Sequence, residues 1–403
     1  MENWTETIGR ALTRVLAAGE DAADQGRRAI SKRLGQNFPA QLVSYGGYAD
    51  RFGTHISGRV LSKVVGGGPL DDATVWDNLL NTWRRWESDE VACAEVTICY
   101  RKEEITVTSD DEGYYTATFS NGYPDSQLWS TAHARVRGEN GEIPVTHEVL
   151  TPLASAEFGV ISDLDDTVIH TGITSLLLAA KLTFLENAKT RKPLDGVAEL
   201  YTAFQKGMTR ELTNPIFYVS SSPWNLHDLL ADFLQLNEIP RGPIQLRDFG
   251  LDATKFVKEK GHGHKLRKAL QLLDGYPDLP FVLVGDSGQE DPAIYAQICG
   301  LRPGRVRAIY IRDVDPEADS EHDALAHQAV EIAASHGVPM ILAPNSQAMS
   351  EHASQLGLIP GAAVSAVVSE IHQDEQRPDT GEQAIKDVAA SLVEVAKTEP
   401  SRQ

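Results

Sequence analysis

Three apolar runs in the second half of the chain each stop at a polar residue suited to chemistry. Phe158-Gly-Val-Ile-Ser162 runs into Asp163-Leu-Asp-Asp-Thr167. Ile216-Phe-Tyr-Val219 runs into Ser220-Ser-Ser-Pro-Trp224, and Phe281-Val-Leu-Val284 into Gly285-Asp-Ser-Gly-Gln-Glu-Asp291. Apolar runs of this length, separated by helical patterns, read as strands of a parallel sheet. Their polar ends would then meet at the carboxyl edge of that sheet, where α/β folds bind ligands.

The residue types at those ends constrain the chemistry. Asp163 and Asp165 are two apart and Thr167 follows two later. Carboxylates crowded in this way repel one another unless a cation or a proton intervenes. A hard divalent ion with oxygen ligands, Mg2+ in particular, answers that need and sits on one or two carboxylates plus a substrate phosphate. An ionised Asp beside it can attack phosphorus. At the second tip stands Ser220, with Ser222 expected as an N-cap and Pro223 as the first helical residue. The third tip carries Asp286, with Asp291 five residues on, where it also fits a capped turn before Pro292. Gly285 and Gly288 would let backbone approach an ion closely. Among Lys255, Lys258, Lys260, Lys265 and Lys268, Lys265 is the favoured cation. It opens the helical pattern Leu266–Leu273, where a positive charge opposes the helix dipole and so suggests another use.

The Asp-x-Asp-x-Thr pattern, Ser220, a lysine and Asp286 in this order resemble the motifs of the haloacid dehalogenase superfamily of phosphotransferases. Ser220-Ser-Ser-Pro-Trp-Asn-Leu226, Leu246-Arg-Asp-Phe-Gly250, His264-Lys265 and Gly285-Asp-Ser-Gly-Gln-Glu-Asp-Pro-Ala-Ile-Tyr295 narrow the likeness. They resemble the catalytic domain of actin-patch-type phosphatidate phosphatases, a family with many bacterial members and a distant similarity to lipins. The resemblance implies an enzyme that hydrolyses phosphatidate to diacylglycerol and phosphate through an aspartyl-phosphate. It implies Asp163 as nucleophile and Asp165 as acid and base. Asp163, the Asp165 carbonyl and Asp286 would hold Mg2+, with Asp291 in support. Ser220 and Lys265 would sit on the phosphoryl oxygens, with Thr167, Ser221 and Arg247 on the substrate side. Asp166, His170, Trp224 and Asp248 lie in similar segments. A soluble phosphomonoester is the alternative substrate. A non-catalytic phospholipid- or partner-binding module is the alternative outside enzymes, and the presence of both Asp163 and Asp165 speaks against it.

The chain has 403 residues, 41% of them hydrophobic, enough for more than one domain. Its formal charge of -20 disfavours nucleic acid and lasting attachment to anionic lipid. No run approaches a membrane span and the start lacks the look of a secretory signal, so a cytoplasmic protein is expected. Three cysteines imply no disulfide framework. Residues 1–36 read as an amphipathic N-terminal helix whose balanced charges favour packing on its own protein or a partner, with transient contact at the inner membrane surface as the alternative. Residues 40–152 show short alternating runs and turn signals, including Asn121-Gly122, expected as a β-sandwich interrupted by a helix over 75–86. Residues 153–360 alternate strand and helix, expected as an α/β doubly wound parallel sheet. The stretch between the first two strands of that sheet has room for helices at 173–189 and 196–206 but for no large cap. Residues 361–403 read as an acidic, helical or disordered tail, with helical patterns at 363–372 and 382–397. The sequence sets no oligomeric state.

Overall fold

The computed structural model describes residues 40–62, 91–120, 126–138, 141–164, 167, 194–211, 213–247, 263–314 and 321–375. The helices expected at 2–34, 75–86, 173–189 and 382–397 and the Asn121-Gly122 turn lie outside them. Residues 40–150 form β1 (Ala40–Asp50), β2 (Gly53–Ser62), β3 (Glu95–Tyr100), β4 (Glu103–Thr108), β5 (Tyr114–Phe119), β6 (Trp129–Gly138) and β7 (Gly141–Leu150). Among the described residues these make one seven-stranded sheet, ordered β4-β3-β6-β7-β1-β2-β5. Among the described residues the strands do not divide into the two separate sheets expected of a sandwich. Instead the two outer strands, β4 and β5, are joined by the turn at Ser109–Gly113. The Asp110 carboxylate holds that turn by accepting from the Glu112 and Tyr114 amides at 3.0 and 2.8 Å. The sheet therefore curls on itself, and alternate side chains such as Ile56, Val60, Val96, Ile98, Phe119, Ala134 and Val149 close around one core.

Strand β7 carries Pro144, a residue that argues against an interior strand. The register resolves the conflict. Pro144 pairs with Arg135 of β6, while β1 meets β7 only at Val149 and Leu150. Pro144 thus lies beyond the β1 pairing, where a missing N–H costs no ladder bond.

The second half builds β8 (Gly159–Ser162), β9 (Ile216–Pro223), β10 (Ile244–Arg247), β11 (Phe281–Asp286), β12 (Val306–Arg312) and β13 (Met340–Ala343). All pair in parallel, in the order β10-β9-β8-β11-β12-β13. The strand order reverses between β8 and β11, which is the place where such sheets open a ligand crevice. Strand β10 escaped the sequence reading. Its four residues, Ile244-Gln-Leu-Arg247, include two polar ones and lack the continuous apolar run that marks β8.

Helices cover both faces. On one, Val160, Tyr218, Leu246, Val284 and Tyr310 pack against α1 (Val197–Lys206) and α2 (His227–Leu236), and also against α6 (Ser346–Gln355) and α7 (Gly361–Glu375). On the other, Ile161, Phe217, Val219, Leu283 and Ile311 pack against α3 (Gly263–Gly275), α4 (Asp291–Leu301) and α5 (Glu321–Ser335). The helical pattern expected at 363–372 falls within α7, and this part packs on the parallel sheet. Val367 is fully buried, and the Asp374 and Glu370 carboxylates accept from the Gly196 and Glu199 amides at 3.1 and 2.8 Å. Charges at the N-terminus of α1 suit these acids.

The two sheets share a core. Leu150 of β7 belongs to the α3 side of the parallel sheet, with Tyr48 and Trp129 packed on it. The Tyr276 hydroxyl donates to the Ala49 carbonyl at 2.9 Å, and the Arg51 amide donates to the Gly275 carbonyl at 3.1 Å. Gly275 is required there, since a Cβ would stand 2.6 Å from Asp50 Oδ2.

Candidate active site

The register brings the three expected tips together. Ser162 pairs with Tyr218 on one side and with Val284 on the other. Asp163 is the next residue of the β8 line, and its amide donates to the Val284 carbonyl at 2.9 Å. Ser220 lies two residues beyond Tyr218 on β9, and Asp286 two beyond Val284 on β11. Neighbouring strands are about 5 Å apart, so the tips of β9, β8 and β11 form one short row. Asp163, Ser220 and Asp286 are all fully buried.

Strand β9 runs on to Pro223, and the expected helix start at Ser222-Pro223 is not there. Pro223 still pairs with Arg247 of β10, which keeps this stretch extended. A short 3-10 turn, Trp224–Leu226, follows, and α2 begins only at His227. Ser222 does not cap the helix; its amide donates to the Ser220 hydroxyl at 2.9 Å, which orients that side chain.

Lys265, in the first turn of α3, is 3% exposed and reaches into the row. Its ammonium stands 3.0 Å from Asp163 Oδ1, 2.8 Å from Asp291 Oδ1 and 3.1 Å from Gln289 Oε1. Burial by itself would lower the pKa of this ammonium. The carboxylates of Asp163 and Asp291 outweigh burial and hold it above the ordinary lysine value. Lys265 is therefore a fixed cation and not a base. Lys268, one turn on, points instead to Gln245 at 3.5 Å. Lys255, Lys258 and Lys260 lie outside the described residues, as do Asp165, Asp166, His170 and Asp248.

Asp163, Asp286 and Asp291 form a buried group whose carboxylate oxygens lie within 4.8 Å of one another. Asp291 begins α4, and its Oδ2 accepts from the Asp286 amide at 3.4 Å while Oδ1 takes Lys265. Gly285 makes this possible, since a Cβ there would meet Asp291 Oδ2 at 2.5 Å. Thr167 is buried, and its hydroxyl makes no hydrogen bond among the described residues. Ser221 is half-buried beside Ser220, and Arg247 ends β10.

Three residues absent from the sequence reading of the site belong to it. Gln289 bridges Lys265 and Asp286, donating to Asp286 Oδ2 at 3.3 Å. It stands in the Asp286-Ser-Gly-Gln289 stretch and could have been found there. Ser162 and Tyr201 could not. The Ser162 hydroxyl donates to the Asp163 carbonyl at 2.6 Å, and the Tyr201 hydroxyl lies 2.6 Å from it on the other side. In the sequence both look like ordinary core positions.

Residues 158–313 match the family model "Phosphatidate phosphatase APP1, catalytic domain". The chain is 32% identical over 155 residues to phosphatidate phosphatase APP1 of Saccharomyces cerevisiae, covering 38% of this chain and 25% of that protein. It is 28% identical over 223 residues to the uncharacterized protein C29B5.04c of Schizosaccharomyces pombe, covering 52% of this chain and 35% of that one. The chain thus spans between 25% and 35% of the length of these curated relatives. A carbohydrate acetylesterase of Xanthomonas citri aligns at 10% identity over 73% of this chain and 65% of its own, with a TM-score of 0.26. A likeness that slight carries no argument. The family match opens at β8 and closes just past β12, so the similarity to phosphatidate phosphatase catalytic domains falls on the strands that bear Asp163, Ser220 and Asp286.

Proposed function

We propose that the protein is a Mg2+-dependent phosphomonoester hydrolase that works through an aspartyl-phosphate on Asp163, with phosphatidate as its substrate. The observation that carries this reading is the buried ammonium of Lys265, 3.0 Å from Asp163 and 2.8 Å from Asp291. A carboxylate that must attack an anionic phosphate needs such a cation beside it.

The three clustered carboxylates fit a hard divalent ion. They offer only oxygen donors, and together they exceed the single positive charge of Lys265. Asp163 and Asp286 would be the protein ligands, with Asp291 anchoring Lys265 and supporting the shell. A bound Mg2+ would neutralise charge on the phosphoryl oxygens.

The chain's own groups do the rest. An Asp163 oxygen forms the bond to phosphorus while the ester P–O bond breaks in line. Asp165 gives its proton to the leaving oxygen. It then takes a proton from the water that attacks phosphorus and releases Asp163. Lys265 and Ser220 donate to the equatorial oxygens. The Lys265 ammonium acts as a donor and a positive charge, held by Asp291 and Gln289. Thr167, Ser221 and Arg247 line the substrate side.

Phosphatidate rests on the family match and on the name of the Saccharomyces cerevisiae relative. A soluble phosphomonoester is the second reading, favoured by the net charge of -20, which opposes anionic membranes. A cytoplasmic site of action, with brief membrane contact through residues 2–34, belongs to the same proposal. The test is phosphate release from phosphatidate and from p-nitrophenyl phosphate, with Mg2+ and with chelator. Mg2+-dependent release from phosphatidate is expected. Release from the soluble ester alone would move the substrate to the second reading, and release untouched by chelator would remove the metal.

A further inference from the structure

Between the curled sheet and the parallel sheet lies a cleft of about 260 Å3 that the chemistry above does not use. Strands β1, β2 and β5 form one wall, and the β9–β10 edge with α3 forms the other. The walls are largely aromatic: Tyr45, Tyr48, Tyr114 and Trp224 all face it. Tyr45 and Trp224 stack across the boundary of the two sheets with centroids 5.0 Å apart. At one end stand Lys268 and Gln245, whose side chains meet at 3.5 Å, at the outer limit of a hydrogen bond.

Two covalent links tie this cleft to the row of catalytic side chains. Lys268 is three residues after Lys265 on α3, about 4.5 Å along the helix axis. Trp224 is four residues after Ser220, so their Cα atoms are at most ~14 Å apart. That is the reach of a short ester-bearing arm attached to a phosphate. The cleft is small beside ordinary ligand pockets of roughly 300–1,000 Å3. It suits the part of an amphiphile next to its head group and not a whole lipid.

We propose that this cleft receives the glycerol-ester region of the substrate, the stretch where two acyl ester groups join the glycerol. Ester carbonyls only accept hydrogen bonds, and Lys268 supplies donors at the polar end. The attached methylenes match the aromatic walls. On this reading the curled sheet sets substrate preference, because it supplies one whole wall. The inference rests on the phosphomonoester hydrolase reading, but its first test does not need turnover.

Thr116 lies at the rim of the cleft on an exposed position of β5, so Thr116→Trp would block the cleft while keeping a residue that strands favour. Lys268→Met removes the donor with little change of side-chain length. The probe is dihexanoylglycerol, which has both esters and no phosphate, titrated by calorimetry into wild type and both variants. Saturable binding by wild type, weakened at least tenfold in Thr116→Trp and severalfold in Lys268→Met, is expected. Turnover of p-nitrophenyl phosphate should stay within twofold in both. No saturable binding by wild type, or equal binding in all three proteins, overturns the inference. So does an equal fall in binding and in p-nitrophenyl phosphate turnover, which would mark damage to the fold. If wild type binds the probe but releases no phosphate from any monoester, the hydrolase reading falls and the cleft stands.

Discussion

Lys265 Nζ and Asp163 Oδ1 face each other at 3.0 Å, with both side chains almost wholly withdrawn from solvent. The ammonium also holds Asp291 and Gln289, so it is the centre of a small buried network and not half of a simple pair. Losing Asp163 and losing Lys265 should therefore differ in their effects.

Asp163→Asn takes away the attacking oxygen but leaves Lys265 with Asp291 and Gln289. Phosphate release should fall by at least ~1,000-fold. Unfolding free energy should change by no more than about 1 kcal/mol. Urea denaturation beside a phosphate assay checks both halves, and retained activity would remove Asp163 as nucleophile.

Lys265→Met leaves Asp163 and Asp291 buried without their cation. Breaking a buried charge pair in this way costs about 3–5 kcal/mol. Adding Asp291→Asn should recover part of the stability and none of the turnover. Denaturant midpoints of the single and double variants measure the coupling.

Tyr201 and Ser162 act on Asp163 from behind. The Asp163 amide is fixed by Val284 and its carbonyl by Ser162, which Tyr201 backs at 2.6 Å. Tyr201→Phe and Ser162→Ala should each lower kcat about tenfold, which is ~1.4 kcal/mol at the barrier. KM should not move, because neither residue reaches the phosphate. The double variant should cost little more than either single one, since the two act in one chain. Steady-state kinetics on p-nitrophenyl phosphate would decide the matter.

Gly285→Ala would push a methyl into Asp291 Oδ2 at 2.5 Å and Asp291 Cβ at 2.8 Å. Overpacking of this kind costs about 1–3 kcal/mol. The larger consequence is that Asp291 can no longer serve Lys265 and the Asp286 amide together. A lower thermal midpoint with activity reduced more than tenfold is the expected outcome.

The curled sheet carries an acid-sensitive group. His147 is fully buried between the Ser44 and Tyr115 hydroxyls at 2.9 and 3.1 Å. Burial lowers its pKa from 6.5 to about 4. The folded state thus favours the neutral ring, so the unfolded chain binds the extra proton between these values. The stabilisation is complete above pH ~6.5, fades as pH falls and is gone below about 4, for a total of roughly 3 kcal/mol. His147→Gln should flatten this part of the stability-against-pH curve, as measured by denaturant unfolding at each pH.

The row of polar side chains at the strand tips was legible because it depends on local pattern. Each strand tip follows from an apolar run that ends abruptly, and Asp163, Ser220 and Asp286 need only a parallel sheet to become neighbours. Lys265 was legible for a different reason, as a cation placed where a helix dipole opposes it. What escaped depends on partners distant in the chain. Pro144 counts against β7, and only the β1 register shows that no ladder bond is lost. The turn at Ser109–Gly113 decides between one curled sheet and two flat ones, and no periodicity reveals that choice. Tyr201 is 39 residues from Ser162, and nothing beside it in sequence separates it from a core tyrosine. The late start of α2 was missed because Ser222-Pro223 is a good helix opening that pairing with β10 overrules.

Helix α3 is gripped at both ends by different halves of the molecule. Its first turn delivers Lys265 to the carboxylates, and its last residue is tethered by Arg51 and crowded by Asp50. The portion from residue 158 to 313 thus ends α3 against residues of the curled sheet that lie outside it. In a piece cut to that portion, Phe217 would lose Tyr48 and the Tyr276 hydroxyl would lose the Ala49 carbonyl, at the far end of the helix that carries Lys265.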